Sequence, residues 1–262
     1  MTLLATRSLS LAIPGRTASS ALTFGISAGE CWGVLGPNGV GKSTLLHTLA
    51  GLRSPLQGSV EFEQRRLSQW PRKALARRLG VVFQHPPSSI ESTVFDSAAA
   101  GLYPWLSHWQ RTRHENHQRV HQALAELALT PLASQRVASL SGGERQRLEI
   151  ATLMVQAPDL WLVDEPTNHL DLHHQQAIMH LLARQAAHGK ALVMALHDIN
   201  LAIRWCSHLL LLFHDGSHCW GSCDEMANKA LLEKLYQQPL VETSVQGYPI
   251  FVPSQQLAGI DD

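Results

Sequence analysis

The chain has 262 residues, of which 45% are hydrophobic and 16% are charged, and its formal net charge is zero. This indicates one large or two closely fused globular domains with a substantial core, and it argues against a nucleic-acid binder that works by bulk charge. Four scattered cysteines indicate a reducing compartment, no secretory signal peptide is apparent, and no apolar run approaches the roughly 20 residues of a membrane-spanning helix.

The first part of the chain, residues 1–35, has the pattern of strands and turns. Polar and apolar residues alternate over residues 8–13, and Pro14 with Gly15 forms a turn signal. The continuous apolar run at residues 31–35 predicts a buried strand.

A glycine-rich motif follows that strand and has the Gly-x-x-x-x-Gly-Lys-Ser spacing of a phosphate-binding P-loop. Its glycines allow successive N–H groups to point at one phosphate chain, and residues 43–50 after it predict a helix that stops at Gly51. Lys42 is expected to reach the β- and γ-phosphates, and the Ser43 hydroxyl to hold Mg²⁺. The predicted phosphate-binding residues are Gly36, Pro37, Asn38, Gly39, Val40, Gly41, Lys42, Ser43 and Thr44. The alternative, a glycine turn that merely joins strand to helix, is disfavoured because the full spacing and both flanks are in register.

Short strands are predicted next at residues 58–62 and 79–83, with a basic, helical stretch at residues 72–78 between them. The second strand ends at Gln84, and the breaker at residues 85–87 follows. From about residue 92 to residue 158 the pattern becomes mostly helical, with Val120, Ala123, Leu124 and Leu127 on one face of a helix. We therefore predict a helical subdomain at residues 85–158, inserted into an α/β core formed by residues 1–84 and 159–225.

Three later apolar runs, at residues 160–163, 191–196 and 209–213, have the character of strands covered on both faces. Helical patterns separate them, which predicts a mostly parallel sheet. The remaining residues, 226–262, are predicted to form a short helix followed by an irregular tail.

Two acidic residues, Asp164 and Glu165, stand at the carboxyl end of the strand predicted at residues 160–163. Ligands of open α/β sheets bind at those ends, so Asp164 fits an aspartate that holds Mg²⁺ and Glu165 is placed to act as a general base toward water. An acidic turn that only caps the strand is the alternative, and the preceding P-loop disfavours it.

A second glycine motif, Leu140 to Gln146, opens a helix that is predicted to run through Gln156. Ser141, Gly142 and Gly143 at this helix start form a second candidate anion site. Ser141 also suits a helix N-cap, and the two roles are compatible.

The order of these motifs resembles the ATPases of ABC transporters. The run from Leu140 to Gln146 resembles their signature motif, and it lies between the P-loop and the acidic strand end as it does in that family. Gln84 resembles the Q-loop glutamine, Asp171 the D-loop aspartate, and His197, which ends a predicted strand, the switch histidine. The resemblance covers essentially the whole chain.

This resemblance implies a P-loop NTPase (RecA-like) α/β fold with an N-terminal antiparallel part and the inserted helical subdomain. It implies ATP and Mg²⁺ as cofactors, with Gln84 and Asp164 beside Ser43 as metal-binding residues. The implied catalytic residues are Glu165, which orients water, His197, which contacts the γ-phosphate, and also Gln84 and Asp171. A homodimer is implied in which two ATP molecules each lie between the P-loop of one chain and residues 141–143 of the other.

Softer features resemble the ATP-binding subunits of iron–siderophore, haem and cobalamin importers. They include residues 74–79, 101–105, 164–171, 197–202 and 231–236. They imply ATP-driven uptake through an integral membrane permease with a substrate-binding protein, no nucleic-acid partner, and a peripheral location on the cytoplasmic face of the inner membrane. The alternative is a soluble ABC ATPase of an assembly complex, such as one for metal clusters.

One departure from the family concerns the base of the nucleotide. ABC ATPases usually carry an aromatic residue near the end of the first strand, stacked on adenine, and Ile13 occupies that place here. We therefore predict loose discrimination among bases unless another ring, such as Trp32, Phe24 or one from a partner chain, takes the stacking role. Two further departures, Leu102 and Thr152, replace residues that are often arginine in relatives.

The chain has 15 histidines, and some of them are close enough in sequence to be weighed as metal ligands. His114, His117 and His121 share a predicted helix face, but the outer two would be about 10 Å apart along it, so a solvated face is favoured. A second candidate metal site comprises Cys219, Cys223, His214 and His218. It is disfavoured because no further ligand pair with zinc-finger spacing follows.

Overall fold

The computed structural model describes residues 2–13, 19–83, 91–106 and 114–254. The strands in these ranges are β1 (Thr2–Ser10), β2 (Gly25–Ser27), β3 (Cys31–Leu35), β4 (Gln57–Phe62), β5 (Arg65–Arg66), β6 (Leu79–Val82), β7 (Leu160–Asp164), β8 (Ala191–Ala195), β9 (His208–Leu212), β10 (His218–Ser222), β11 (Leu240–Val245) and β12 (Tyr248–Pro253). The α-helices are α1 (Lys42–Leu49), α2 (Arg72–Leu75), α3 (Val94–Ala99), α4 (His114–Glu126), α5 (Gly142–Gln156), α6 (Leu172–Ala187), α7 (Ile199–Trp205), α8 (Cys223–Met226) and α9 (Lys229–Tyr236).

A six-stranded sheet with the order β10-β9-β3-β8-β7-β6 forms the centre of the molecule. All its neighbours pair in parallel except β10, which runs antiparallel to β9. This confirms the mostly parallel sheet. Because β3, β7 and β8 are adjacent and parallel, their carboxyl ends share one edge of the sheet, and the residues that follow them come together there.

The strands of this sheet are covered on both faces, as their continuous apolar runs predict. Along β7, Trp161 and Val163 belong to a core with the helices, whereas Leu160 and Leu162 belong to a second core with the N-terminal strands. Alternate side chains of a strand point to opposite faces, so one short run serves both cores.

A four-stranded antiparallel sheet with the order β2-β1-β4-β5 covers one face of the central sheet. It confirms the N-terminal antiparallel part that the family resemblance implies. The strand predicted from residue 8 begins earlier, at Thr2, and the turn signal at Pro14 and Gly15 lies outside the described residues.

Helices α3, α4 and α5 pack against one another between β6 and β7 in the chain. The predicted apolar face is confirmed in α4, because Val120, Ala123 and Leu124 are buried; Leu127, which directly follows the helix, is buried as well. The basic stretch at residues 72–78 is helical only over Arg72–Leu75. Within the described ranges, no helix combines the length and the apolar character needed to cross a lipid bilayer.

The prediction of an irregular tail after the C-terminal helix is wrong. Strands β11 and β12 form an antiparallel hairpin that follows α9. Gln246 and Gly247 join them with φ values of 54° and 83°. The two-residue turns that match the twist of paired strands need positive φ values at both central residues. Gln246 and Gly247 meet this requirement, so a local turn accounts for the hairpin.

Candidate nucleotide-binding and catalytic site

The P-loop lies between β3 and α1, where the sheet edge meets a helix N-terminus. Gly39 and Gly41 have φ values of 73° and 108°, conformations that favour glycine. A Cβ on Gly36 would lie 2.6 Å from the backbone oxygen of Leu212, so only glycine fits there as well. Gly41 caps α1 without any side-chain hydrogen bond, so no capping side chain competes for the N–H groups of the first turn. Together with the helix dipole, this arrangement suits a phosphate group.

Lys42 is buried in this loop with its ammonium group turned onto the backbone. Its Nζ donates to the backbone oxygens of Gly36 at 2.7 Å and Pro37 at 3.4 Å. Burial lowers the pKa of Lys42, and the carboxylates of Glu165 and Asp164 oppose that shift. A cation held this close to the loop provides the charge that a β- or γ-phosphate needs.

Asp164 ends β7 and is 3% exposed. Burial raises the pKa of its carboxyl group, and a hydrogen bond from the Ser43 side chain works in the opposite direction. Among the described residues, no group donates a hydrogen bond to its buried Oδ1. A buried carboxylate oxygen without a donor, beside a hydroxyl group, is a donor set that fits a hard cation such as Mg²⁺.

Glu165 follows with a left-handed backbone, φ 53°, and its side chain is only 8% exposed. One carboxylate oxygen contacts Nε2 of His197, and the other accepts from the side-chain amide of Asn168. The backbone oxygen of Glu165 also accepts from the Gln146 amide at 3.5 Å. His197 and Asn168 therefore hold the carboxylate in one orientation, and Gln146 contacts the backbone of the same residue.

Most of the predicted phosphate-binding residues line one cavity of about 490 Å³ together with the predicted general base and switch histidine, whereas Gly36, Pro37, Val40 and Asp164 do not line it. Its lining includes Asn38, Gly39, Gly41, Lys42, Ser43, Thr44, Glu165 and His197. The structure thus brings together residues that follow β3, β7 and β8. An anionic ligand with a reactive phosphate would meet a cation, a carboxylate and an imidazole there.

Ile13 belongs to the same cavity, at the side of the P-loop. Its side chain rests on Gly41, because a Cβ on that glycine would be 2.7 Å from the Ile13 Cδ1. Trp32 and Phe24 are buried instead and pack together with a ring-centroid distance of 5.3 Å, and neither lines the cavity. Neither of these two rings, which the sequence offered as alternatives to Ile13, is therefore placed to stack on a base in the P-loop cavity.

The second glycine motif lines a separate cavity of about 450 Å³. Ser141 caps α5: its hydroxyl accepts from the Glu144 N–H at 3.3 Å, and the Glu144 carboxylate accepts from the Ser141 N–H at 2.8 Å. The Ser141 N–H and hydroxyl groups both donate to the Glu144 carboxylate, which lowers its pKa. Gly142 and Gly143 lie beside the same turn, and the two cavities share no lining residue. Within one chain, residues 141–143 therefore do not join the P-loop site.

Asp171 lines this second cavity too and caps α6. Its carboxylate accepts from the backbone N–H of His174 at 2.8 Å and lies 2.7 Å from Nδ1 of that residue. Hydrogen bonds from His174 lower the pKa of Asp171, which stays accessible at the surface. Gln84 and the breaker at residues 85–87 lie outside the described residues.

Some contacts at the site were not predicted. The Asn168 amide holds Glu165, and the hydroxyl of Tyr236, far along the chain, donates to the backbone oxygen of His197 at 3.4 Å. Asn168 stands three residues after Glu165, so a turn that starts at the predicted general base was a signal for this contact. No local pattern links residue 236 to residue 197.

The histidines weighed as metal ligands have other neighbours. The rings of His117 and His121 lie 5.3 and 5.0 Å from the ring of Phe95. His218 lies 2.8 Å from the Ser20 hydroxyl, and Cys223 is buried. Over the part of the chain that the structure describes, no three histidine, cysteine or acidic residues form a metal-binding group.

Comparisons with known proteins agree with this geometry. The sequence profile of the ABC transporter family matches residues 20–168. The chain is 36% identical over 240 residues to the ferric enterobactin transport ATP-binding protein FepC of Escherichia coli (strain K12), covering 90% of this chain and 89% of that protein. It is 36% identical over 255 residues to the hemin import ATP-binding protein HmuV of Pseudomonas aeruginosa, covering 94% and 96%. Its structure is similar to a chain of a metal-chelate type ABC transporter in an inward-facing conformation, with a TM-score of 0.84, 28% identity, and 98% and 99% of the two chains covered.

Proposed function

The chain belongs to the ABC transporter family, and on that premise we propose that it is the ATP-hydrolysing subunit of an importer for an iron–siderophore, haem or cobalamin-type substrate. The observation that carries this proposal is the cavity in which the P-loop, Glu165 and His197 meet. Relatives that match over most of their length are import or transport ATP-binding proteins for ferric enterobactin and hemin, which supports the substrate class.

The phosphates of ATP bind along residues 36–44. The N–H groups of the first turn of α1 and the ammonium group of Lys42 neutralise the β- and γ-phosphates. Lys42 exchanges its bonds to Gly36 and Pro37 for phosphate oxygens, so its buried charge remains paired.

Ser43 and Asp164 would hold Mg²⁺, with Gln84 as a further candidate ligand. The unpaired Oδ1 of Asp164 and the hydroxyl beside it support this assignment. When bound, the metal ion supplies positive charge to the β- and γ-phosphates, where charge grows during phosphoryl transfer.

Glu165 takes a proton from the attacking water, and His197 contacts the γ-phosphate. Both groups stand at the cavity wall, and the side chain of His197 is 43% exposed, so it can reach a ligand. The contacts from His197 and Asn168 orient the carboxylate toward the attacking water. Because the carboxylate is already held in place, little of its conformational freedom has to be lost when the transition state forms.

A second copy of the chain completes each ATP site. The chain has one copy of each motif, and its residues 141–143 line a cavity separate from the P-loop cavity. A homodimer that places Ser141, Gly142 and Gly143 of one subunit over the P-loop of the other provides the missing anion contacts, with Asp171 at the same interface.

The membrane partner is a permease, with a substrate-binding protein in the same system. Gln84 and the helical part at residues 85–158 contact the permease, which places the chain at the cytoplasmic face of the inner membrane as a peripheral subunit. Import relatives and the metal-chelate type transporter support this arrangement.

Uptake measurements in the native cell test this function. The gene is replaced by a Glu165→Gln version, and entry of ⁵⁵Fe-siderophore, ⁵⁵Fe-haem and ⁵⁷Co-cobalamin is compared with cells carrying wild type and with cells carrying Arg7→Gln, a change of an exposed β1 residue that does not line the cavity. We expect one of the three uptakes to be lost in the Glu165→Gln cells only. Unchanged uptake of all three, together with co-purification of the tagged chain with a soluble scaffold, would support the assembly-complex alternative.

A further inference from the structure

The segment that carries His197 is short and irregular, and other parts of the chain hold its backbone. It connects the end of β8 to the start of α7, and the Leu196 N–H donates to the Val34 oxygen at 3.0 Å. Asp198 caps α7, accepting from the N–H groups of Asn200 at 2.8 Å and Leu201 at 3.3 Å. These bonds fix the two ends of the segment and leave the His197 carbonyl between them.

The C-terminal hairpin is attached to the first turn of α7 by one side chain. The Asn200 amide donates to the Phe251 oxygen at 3.0 Å, and its oxygen accepts from the Phe251 N–H at 2.8 Å. Phe251 is itself buried at 2% exposure, so this end of the hairpin is anchored in the core. Asn200 thus binds β12 as a neighbouring strand would.

The helix before the hairpin reaches His197 directly. Tyr236, the last residue of α9, donates from its hydroxyl to the His197 backbone oxygen at 3.4 Å. Burial raises the pKa of this hydroxyl, and the nearby charge of Asp198 acts in the same direction. The hydroxyl therefore stays protonated and remains a donor over the physiological pH range.

We propose that Tyr236 and Asn200 are positioning residues for ATP hydrolysis, through which α9 and the β11–β12 hairpin hold His197 at the γ-phosphate. The inference rests on the proposed function, which assigns that contact to His197. The imidazole is 43% exposed and contacts Glu165, so its place in the cavity depends strongly on where its backbone is held. Asn200 lies 3 positions and Tyr236 lies 39 positions after His197, and both act on it without lining the P-loop cavity.

The test is a double-mutant cycle on the purified chain of 262 residues. ATP turnover is measured for wild type, Tyr236→Phe, His197→Ala and the double variant, with ATP saturating and Mg²⁺ present. Tyr236→Phe removes one hydroxyl and keeps the ring, and it should lower kcat about threefold to tenfold, the worth of one hydrogen bond. In the His197→Ala background, the same change should alter kcat by less than about twofold, because a residue that acts through His197 has nothing left to position.

Two further measurements separate positioning from a general loss of stability. The affinity for a non-hydrolysable ATP analogue should stay within about twofold of wild type, since the P-loop is untouched. Tyr248→Phe is the matched control, because Tyr248 is a 48% exposed tyrosine of the hairpin that follows α9, and its turnover should equal that of wild type. Asn200→Ala should lower kcat in the same way and show the same lack of additivity with His197→Ala.

The outcomes are distinguishable from those that test the function itself. If wild type does not hydrolyse ATP, the proposed function fails. If wild type is active and Tyr236→Phe matches it, or if the substitution lowers kcat equally with and without His197, the positioning role is overturned.

Discussion

Replacing Ile13 by tyrosine tests where the base of the nucleotide lies. Ile13 lines the P-loop cavity, and its Cδ1 would be 2.7 Å from a Cβ on Gly41. A base connected to phosphates on this loop therefore meets the isoleucine side chain, which offers dispersion contact but no ring. The two intrachain alternatives, Trp32 and Phe24, are 2% and 4% exposed and lie in an aromatic cluster away from the cavity.

The expected gain follows from the difference between the two side chains. Stacking a base on an aromatic ring contributes about 1–3 kcal/mol in single-stranded nucleic-acid binders. Ile13 already supplies part of this as dispersion, so Ile13→Tyr should add about 1.4 kcal/mol, which is about tenfold in Kd. Ile13→Tyr should tighten the binding of ATP more than that of GTP, and in wild type the two affinities should differ by less than about tenfold.

Isothermal titration with ATP, GTP and inorganic tripolyphosphate, all with Mg²⁺, measures this effect. Tripolyphosphate has no base, so its affinity should be the same for wild type and Ile13→Tyr. Ile13→Leu, which keeps the number of carbon atoms, is the matched control and should bind all three ligands as wild type does. A strong wild-type preference for ATP that Ile13→Tyr leaves unchanged would refute the placement of the base beside Ile13.

Three further changes test other parts of the account. Lys42→Ala removes the buried cation of the P-loop and should abolish MgATP binding in the same titration, whereas tight binding would contradict the phosphate assignment. Burial raises the pKa of Glu149 from 4.5 to about 7, so the folded chain holds an extra proton between these values and the free energy of unfolding falls as pH rises from about 4.5 to about 7. Glu149→Gln should therefore raise Tm more at pH 8 than at pH 5 in calorimetry, and an equal shift at both would show that the carboxyl group does not titrate on unfolding. A mixed dimer of Ser141→Arg and Lys42→Ala chains should retain about half of the wild-type turnover if each intact composite site works independently, because one site combines two undamaged halves; activity no higher than that of either variant alone would argue against the shared interface.

Much of the site could be predicted because its chemistry depends on short, local spacings. The P-loop glycines, Lys42 and Ser43 are adjacent in sequence, and the apolar runs before them and before Asp164 identify the strands that carry them. Parallel pairing of β3, β7 and β8 then brings His197 to the same sheet edge. The strand pattern, combined with parallel pairing in the sheet, was enough to predict that these residues meet.

The C-terminal hairpin was missed although a local signal was present. Val241, Val245, Tyr248 and Val252 alternate with other residues around Gln246 and Gly247. The pattern is weak because this outward face is exposed, with Val245 at 55%, so it lacks the polar and apolar contrast of a half-buried strand. Burial of the other face depends on Leu240 and Phe251, which pack with distant residues.

Contacts between distant positions could not be predicted from any local pattern. The bonds of Tyr236 to His197 and of Asn200 to Phe251 depend on how α9 and the hairpin return to α7. The separation of the two cavities could not be predicted either. Residues 36–44 and 141–143 are both glycine motifs at helix starts, and only the folded chain shows that they line different cavities.

The most direct test of the central claim, that this cavity hydrolyses ATP with Glu165 as the base, is turnover by Glu165→Gln. The amide keeps the shape of the carboxylate but cannot take the proton from water, so the rate should fall by about 10²–10⁴ while MgATP binding persists. The bound ATP should also hold two chains of the variant together as a dimer in size-exclusion chromatography. Near-normal hydrolysis by the variant would contradict the account and assign the base to another residue.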